Sequence, residues 1–168
     1  MRIFVDGNDL ARAMADEESE RLSRPAGMPG RDEVARWAAR YADVRGCDVD
    51  LIFDQPPPGG VLPRTERVGR VRLAHLPEGE EALREIAGPA NRAAESDRVF
   101  VVTDDPRLAG ALAHGKARVV GAADFLERVR RSLRGEAEDG LDEPDEKYSG
   151  LTEDEVEYWL RLFEEKGD

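Results

Sequence analysis

The sequence predicts an α/β domain with a mainly parallel central sheet. Three short apolar runs, over residues 2–5, 50–53 and 99–103, are rich in β-branched and aromatic residues and show no polar alternation. Such runs are typical of strands that are buried on both faces of a parallel sheet. Helical patterns lie between them, so strands and helices alternate along the chain, and right-handed crossovers are expected to join the strands.

The helical segments are recognised by apolar spacing and by residues that start or stop helices. Asp32 is a candidate N-cap for a helix that ends at Gly46, and Pro106 suits the first turn of another helix. Gly88-Pro89 is expected to kink or end the helix that starts near Glu80. The predicted helices cover residues 9–22, 32–46, a segment that starts near Glu80, 106–114 and 123–133.

Two weaker strands complete the predicted sheet. Residues 65–74 alternate between apolar and basic side chains, which predicts one edge strand with a wet, basic face. Residues 117–120 form a short apolar run just before the last helix of the domain. The sheet should therefore have a polar edge next to its buried centre.

Each of the three buried runs ends on a carboxylate: Asp6, Asp54 and the pair Asp104-Asp105. The carboxyl ends of parallel strands meet at one edge of a sheet, where such folds bind ligands. Two carboxylates about 5 Å apart repel by roughly 3 kcal/mol at an effective dielectric near 20. A bound divalent cation would relieve this repulsion. The structural alternative is that these aspartates bond turn amides or cap helices.

The composition is that of one globular domain with a tail. The 168 residues are 40% apolar, and the single Cys47 excludes an internal disulfide. No secretory signal pattern is present, which predicts a cytoplasmic protein. No run approaches 18 consecutive apolar residues, so no membrane span is expected.

The net charge of −12 is unevenly distributed along the chain. Residues 136–168 carry 14 acidic and 3 basic side chains, whereas residues 1–135 carry 23 acidic and 22 basic side chains. The domain is therefore nearly neutral. A neutral domain with acids gathered at a site and arginines elsewhere can still bind a polyanion such as RNA.

The domain is expected to cover residues 1–134, followed by an acidic, Gly-rich linker over 135–150. Residues 151–168 predict an amphipathic helix, since Thr152 and Glu155 form a capping box. Its apolar stripe contains Val156, Trp159, Leu160 and Phe163. This stripe should dock on its own domain, on a second copy in a homodimer, or on another partner.

Several short motifs, in the same order along the chain, resemble those of NYN domains, which belong to the PIN-like nucleases. The closer likeness is to the YacP-like branch, in which the acidic linker and terminal helix also have counterparts. The similar segments are Ile3-Phe4-Val5-Asp6-Gly7-Asn8-Asp9-Leu10, Leu51-Ile52-Phe53-Asp54, Val101-Val102-Thr103-Asp104-Asp105 and Gly121-Ala122-Ala123-Asp124-Phe125-Leu126. The resemblance implies a PIN-like three-layer α/β sandwich.

The resemblance also implies a divalent-metal-dependent endoribonuclease that hydrolyses RNA with Mg²⁺ or Mn²⁺. Asn8 would assist in the turn after the first acidic residue. Two positions depart from the family pattern: Asp9 stands where asparagine is usual, and Glu80-Glu81 stand where an aspartate pair is usual. By this likeness the metal would be held by Asp6, Asp54, Glu80, Glu81 and Asp105.

Four arginines, Arg64, Arg67, Arg70 and Arg72, are candidates to line the path of an RNA backbone. Basic residues on an edge strand also protect against aggregation, so this alternative stays open. A second functional hypothesis is a catalytically inactive module of the same fold that binds RNA or the ribosome. A third is a Mg²⁺-dependent phosphatase or phosphoacceptor domain with Asp6 or Asp54 as nucleophile, although Asn8 stands where the phosphatase pattern has a second aspartate.

Overall fold

A computed structural model describes residues 1–54, 65–77 and 81–135 of the chain. In these ranges the strands are β1 (Arg2–Asp6), β2 (Asp48–Phe53), β3 (Thr65–Val68), β4 (Val71–His75), β5 (Val99–Val102) and β6 (Arg118–Val120). The helices are α1 (Gly7–Leu22), α2 (Arg31–Arg45), α3 (Ala82–Ala93), α4 (Pro106–Leu112) and α5 (Ala122–Leu133).

The strands form one six-stranded sheet in the order β3-β4-β2-β1-β5-β6. All neighbouring pairs are parallel except β3 and β4, which are antiparallel. The three apolar runs form the adjacent central strands β2, β1 and β5, and β5 is buried along its whole length. The predicted fold class, with a mainly parallel sheet, is confirmed.

Helices cover both faces of the sheet and give three layers. Helices α1, α2 and α5 pack together on one face, and α3 and α4 cover the other face. Beneath α3 and α4, Phe4, Ile52 and Val101 from the sheet belong to a buried cluster with Ile86 and Leu108. Successive side chains of each strand pack against opposite helix layers, because they point to opposite faces of the sheet.

The segment predicted as one edge strand over residues 65–74 is a β-hairpin. Gly69, with φ of +59°, lies in the turn between β3 and β4, a conformation that glycine adopts without steric cost. Strand β3 is the mostly exposed edge, whereas Val71 and Leu73 of β4 are fully buried beside β2. The turn was not predicted because both strands carry arginines, so the alternation of apolar and basic residues continues from one strand to the next.

The start of α2 also differs from the prediction. Gly30 is the N-cap, and its carbonyl accepts hydrogen bonds from the amides of Glu33 and Val34. Asp32 instead lies in the first turn, where its carboxylate accepts a bond from Arg31 Nε at 2.8 Å. Arg31, the first residue of α2, also contacts Glu66 at 3.1 Å. This ion pair joins the start of α2 to β3.

Of the two outcomes predicted at Gly88-Pro89, a kink or an end, the end is excluded because helix α3 continues through Pro89. A proline leaves the carbonyl four residues earlier, here that of Glu85, without its helical donor. Glu85 is exposed, so water can bond that carbonyl. Burial of Ile86 and Ala90 against the sheet stabilises the continuous helix.

Several predictions fall outside the described residues. They concern Arg64, Glu80, the linker beyond Gly135 and the helix over 151–168. Within the described part of the chain, no helix combines the length and the apolar character that a membrane span requires.

Candidate active site

A cavity of about 300 Å³ lies at the carboxyl ends of the central strands. Four of the predicted site residues line it: Asp6, Asn8, Asp54 and Asp105. Three further lining residues, Asp9, Arg12 and Met28, were not among the predicted site residues. The parallel arrangement of β2, β1 and β5 brings the strand-end aspartates to one place.

Asp6 lies at the junction of β1 and α1, where it is the N-cap of the helix. Its Oδ1 accepts the amide N–H of Asn8 at 3.0 Å and that of Asp9 at 3.2 Å, and no described residue donates to Oδ2. Burial, and then the charge of Asp9, raise the pKa of Asp6 to about 6. Asp6 is therefore a structural cap that still presents one carboxylate oxygen to the cavity.

Asp54 follows β2 directly and has no capping role among the described residues. Its Oδ1 is buried and has no hydrogen-bond partner in the described part of the chain. Buried carboxylate oxygens are normally bonded, so an unbonded one calls for an ordered water molecule or an ion as its partner. Asp54 is thus a cavity residue with one carboxylate oxygen left for a water molecule or an ion.

Asp105 is the N-cap of α4 and is paired with Arg107. It accepts the amide N–H of Arg107 at 2.8 Å and contacts Nη2 of that side chain at 3.2 Å. These two hydrogen bonds lower the pKa of Asp105, and the bond from the backbone amide has the larger effect. Glu81 does not line the cavity, but its carboxylate lies 3.3 Å from Arg107 Nη1. Arg107 therefore connects two of the predicted metal ligands.

Asp9 fastens the loop after β5 to the start of α1. Its Oδ2 accepts the hydroxyl of Thr103 at 3.0 Å and the amide N–H of Asp104 at 2.8 Å. The Thr103 hydroxyl oxygen in turn accepts the amide N–H of Asp105 at 3.0 Å. Asp9 is buried, and Arg12 Nη1 neutralises its other oxygen at 2.9 Å. The sequence showed only an added charge at Asp9, because Thr103 and Asp104 lie more than 90 residues away along the chain.

The donor set fits a hard divalent cation, since Mg²⁺ and Mn²⁺ prefer carboxylate oxygens. The oxygens of Asp6 and Asp54 that accept no bond from a described residue are suitable ligands. However, residues 1–54, 65–77 and 81–135 contain no group of three or more His, Cys, Asp or Glu side chains that is already arranged to hold a metal ion. Metal binding would therefore require small side-chain movements, such as release of Asp105 from Arg107.

The hairpin arginines lie at some distance from this cavity. Arg72 pairs with the buried Asp50, which also accepts a bond from Arg2 Nε at 2.6 Å. Asp50 precedes Asp54 by four strand residues, or roughly 13 Å. Arg70 contacts Asp48 at the start of β2, and Arg67 is exposed opposite Arg72.

The sheet order, the helix layers on both faces and the acidic side chains at the carboxyl edge of the sheet agree with the class of PIN-like domains. The chain belongs to the YacP-like NYN domain family, whose model matches residues 3–163. No curated protein matched the chain.

Among solved structures, the chain is similar to Rae1 (YacP) from Bacillus subtilis. The match has 20% sequence identity and a TM-score of 0.60, and it covers 98% of this chain and 89% of that protein. A mutant of the same Bacillus protein, in which a tryptophan is replaced by leucine, matches with a TM-score of 0.59 and 20% identity, over 80% of this chain and 77% of the other. These similarities agree with the fold.

Proposed function

We propose that the protein is a divalent-metal-dependent endoribonuclease. The observation that carries this proposal is the buried, unbonded Oδ1 of Asp54, a residue that lines the same cavity as Asp6 and Asp105. Family membership supports RNA as the substrate. The described residues that line this cavity include no hydroxyl or thiol nucleophile, which agrees with direct attack by water on the phosphodiester.

Asp6, Asp54 and Asp105 would hold the metal, and Glu81 would join them if Arg107 released it. When bound, the metal lowers the pKa of a coordinated water and stabilises negative charge on phosphate oxygens. Asn8 lies at the cavity wall, where its amide can donate to a phosphate oxygen. Asp9 keeps the Asp105 loop in place through Thr103.

A second candidate is an RNA-binding module that does not cleave. The observation that favours it is the pairing of Asp105 and Glu81 with Arg107, which occupies two carboxylates that a metal would need. The absence of a preassembled acidic cluster among the described residues agrees with this alternative. The same experiment distinguishes the two candidates.

The test combines calorimetric titration of Mn²⁺ with cleavage of a panel of single-stranded and structured RNAs. The variants are Asp54→Asn and Asp6→Asn, and Asp32→Asn is the matched control because Asp32 is an exposed aspartate on α2. We expect the wild type and the control to bind Mn²⁺ and cleave RNA. Both site variants should lose metal affinity by at least about tenfold, which corresponds to about 1.4 kcal/mol, and lose cleavage.

Metal binding that both site variants retain would place the ion elsewhere and contradict the proposed ligands. RNA binding without Mn²⁺ binding or cleavage would favour the non-cleaving module. Loss of cleavage with unchanged metal affinity would show that the aspartates act only by shaping the cavity.

A further inference from the structure

Two exposed arginines, Arg12 on α1 and Arg107 on α4, contact the carboxylates of the acidic cavity from different helices. We propose that they bind the phosphate groups of the RNA strand next to the site. This inference rests on the proposed function and adds the residues that bring the RNA backbone to the site. Neither residue was predicted from the sequence. The candidates that the sequence offered for RNA binding were Arg64, Arg67, Arg70 and Arg72.

Arg12 lines the cavity, and among the described residues its guanidinium is bonded to Asp9. Its Nη1 donates to Asp9 Oδ1 at 2.9 Å, whereas 59% of the side chain is exposed. A guanidinium has five N–H donors, and the bond to Asp9 uses one of them. Asp9 is itself anchored by Thr103 and Asp104, so Arg12 is oriented by a rigid group and keeps donors for an anion.

Arg107, in the first turn of α4, does not line the cavity itself but is paired with Asp105, which does. Its guanidinium contacts Asp105 at 3.2 Å and Glu81 at 3.3 Å, and 64% of the side chain is exposed. Contacts of this length between exposed groups are weak. A phosphate can therefore replace a carboxylate partner, and this exchange would also free Asp105 and Glu81.

Electrostatics explains why the cavity needs such residues. Asp6, Asp9, Asp54 and Asp105 repel a polyanion, and one divalent cation would neutralise only part of their charge. A planar guanidinium binds phosphate through two parallel N–H bonds and holds it in a defined orientation. Arg12 and Arg107 are cationic groups in direct contact with two of these four carboxylates.

The hairpin arginines are less suited to this role. Arg72 is committed to the buried Asp50. Arg70 contacts Asp48 at the start of β2, which is the end of the strand away from Asp54. Asp50 is roughly 13 Å from the level of Asp54 along the strand. A phosphate bound at the hairpin would thus lie well away from the cavity.

The experiment measures the salt dependence of RNA binding. A fluorescent single-stranded RNA is titrated with the full-length Asp54→Asn protein in EDTA, which prevents cleavage, at a series of potassium chloride concentrations. Added to this parent are Arg12→Gln, Arg107→Gln, the hairpin variant Arg70→Gln and the control Arg21→Gln. Arg21 forms an i,i+3 ion pair with Glu18 on α1, as Arg12 does with Asp9, and is 67% exposed. It lies roughly 13 Å further along the helix.

Each phosphate contact to single-stranded RNA contributes about 0.7 to the slope of log affinity against log salt. We therefore expect Arg12→Gln and Arg107→Gln each to reduce the slope by about 0.7, and Arg21→Gln to leave it unchanged. Arg12→Lys keeps the charge, so it should keep the slope while binding more weakly than the parent. Thermal unfolding of each variant checks that the protein stays folded, in particular when the buried Asp9 has lost its arginine partner.

Unchanged slopes in Arg12→Gln and Arg107→Gln would overturn the inference and leave the nuclease proposal intact. A reduced slope in Arg70→Gln but in neither site variant would also overturn it, because the RNA would then cross the hairpin. If the parent binds no RNA at any salt concentration in EDTA, the inference is wrong, whereas the proposed function is decided separately by Mn²⁺-dependent cleavage with the wild type.

Discussion

At the scale of single residues, Asp6 and Asp9 have different roles in the site. Both are buried carboxylates in the first turn region of α1. Asp9 is satisfied by three donors, whereas Asp6 receives two backbone N–H bonds on one oxygen only from the described residues. The second oxygen of Asp6 therefore has no donor among the described residues and is available to a cation in the cavity.

The raised pKa of Asp6 predicts a pH-dependent cost in stability without metal. A carboxyl with a pKa of 3.8 unfolded and about 6 folded favours folding below pH 3.8, and this contribution is lost as the pH rises through 6. The loss is at most about 3 kcal/mol. Asp6→Asn keeps the capping oxygen, so it should stabilise the protein above about pH 7 and have little effect below about pH 4.

Urea denaturation in EDTA at the two pH values measures this difference in the free energy of unfolding. An equal gain at both pH values would mean that the effect does not come from ionisation of Asp6.

Asp9 should matter chiefly as a hydrogen-bond acceptor. Asp9→Ala leaves the buried Thr103 hydroxyl and the Asp104 amide without their acceptor, and should lower the free energy of unfolding by about 2–4 kcal/mol. Asp9→Asn retains one acceptor oxygen and should cost about half as much. Chemical denaturation of both variants checks the order; an equal loss in both would show that the charge of Asp9, rather than its acceptor geometry, is what matters.

At the scale of elements, the N-termini of two helices position site residues, and a third helix contains an internal proline. The site carboxylates Asp6 and Asp105 cap α1 and α4, so folding of these helices places the side chains at the cavity. Helix α3 contains Pro89 in its interior and remains continuous because its apolar face is buried. Packing therefore overrides a local signal that favours a break.

Pro89→Ala should stabilise the protein. An alanine restores the N–H donor to the Glu85 carbonyl and removes the ring clash, a gain of up to about 3 kcal/mol. The greater freedom of the unfolded chain opposes it by about 0.4–1 kcal/mol. We expect a net increase of about 1–2 kcal/mol in urea denaturation, with unchanged helicity by circular dichroism. A loss of stability would instead show that packing of the proline ring outweighs the restored hydrogen bond.

At the scale of the whole molecule, a buried ion pair network joins three strands of the sheet. Asp50 on β2 is 2% exposed and is paired with Arg2 on β1 and with Arg72 on β4. These strands are neighbours in the sheet. Removal of one member of such a network leaves buried or half-buried charges without compensation.

Asp50→Ala should therefore lower the free energy of unfolding by about 3–5 kcal/mol. Asp48→Ala is the matched control, since Asp48 lies on the same strand and pairs with Arg70 at the surface. An exposed pair of this kind contributes at most about 1 kcal/mol. Thermal and urea unfolding of both variants measure the contrast. Equal effects would show that burial of the pair is not the source of its strength.

Much of the architecture was predictable because it depends on local patterns. Buried strands of a parallel sheet appear as continuous apolar runs, and the acid at the end of each run marks the edge where such strands converge. This argument brought Asp6, Asp54 and Asp105 to one cavity, as the structure shows, and Asn8, which the family resemblance indicated, lines the same cavity. The β-hairpin and the continuity of α3 were not predicted, because both depend on burial against distant parts of the chain.

By itself, the sequence determined the fold class, the order of strands and helices, and the carboxylates at the strand ends. Only the tertiary structure decided what each carboxylate contacts: Asp9 is bonded to Thr103, Asp105 is paired with Arg107, and Asp54 has a buried oxygen without a described partner. The reason is physical. Apolar periodicity and helix capping act over a few residues, whereas hydrogen bonds between side chains depend on which distant segments the folded sheet brings together.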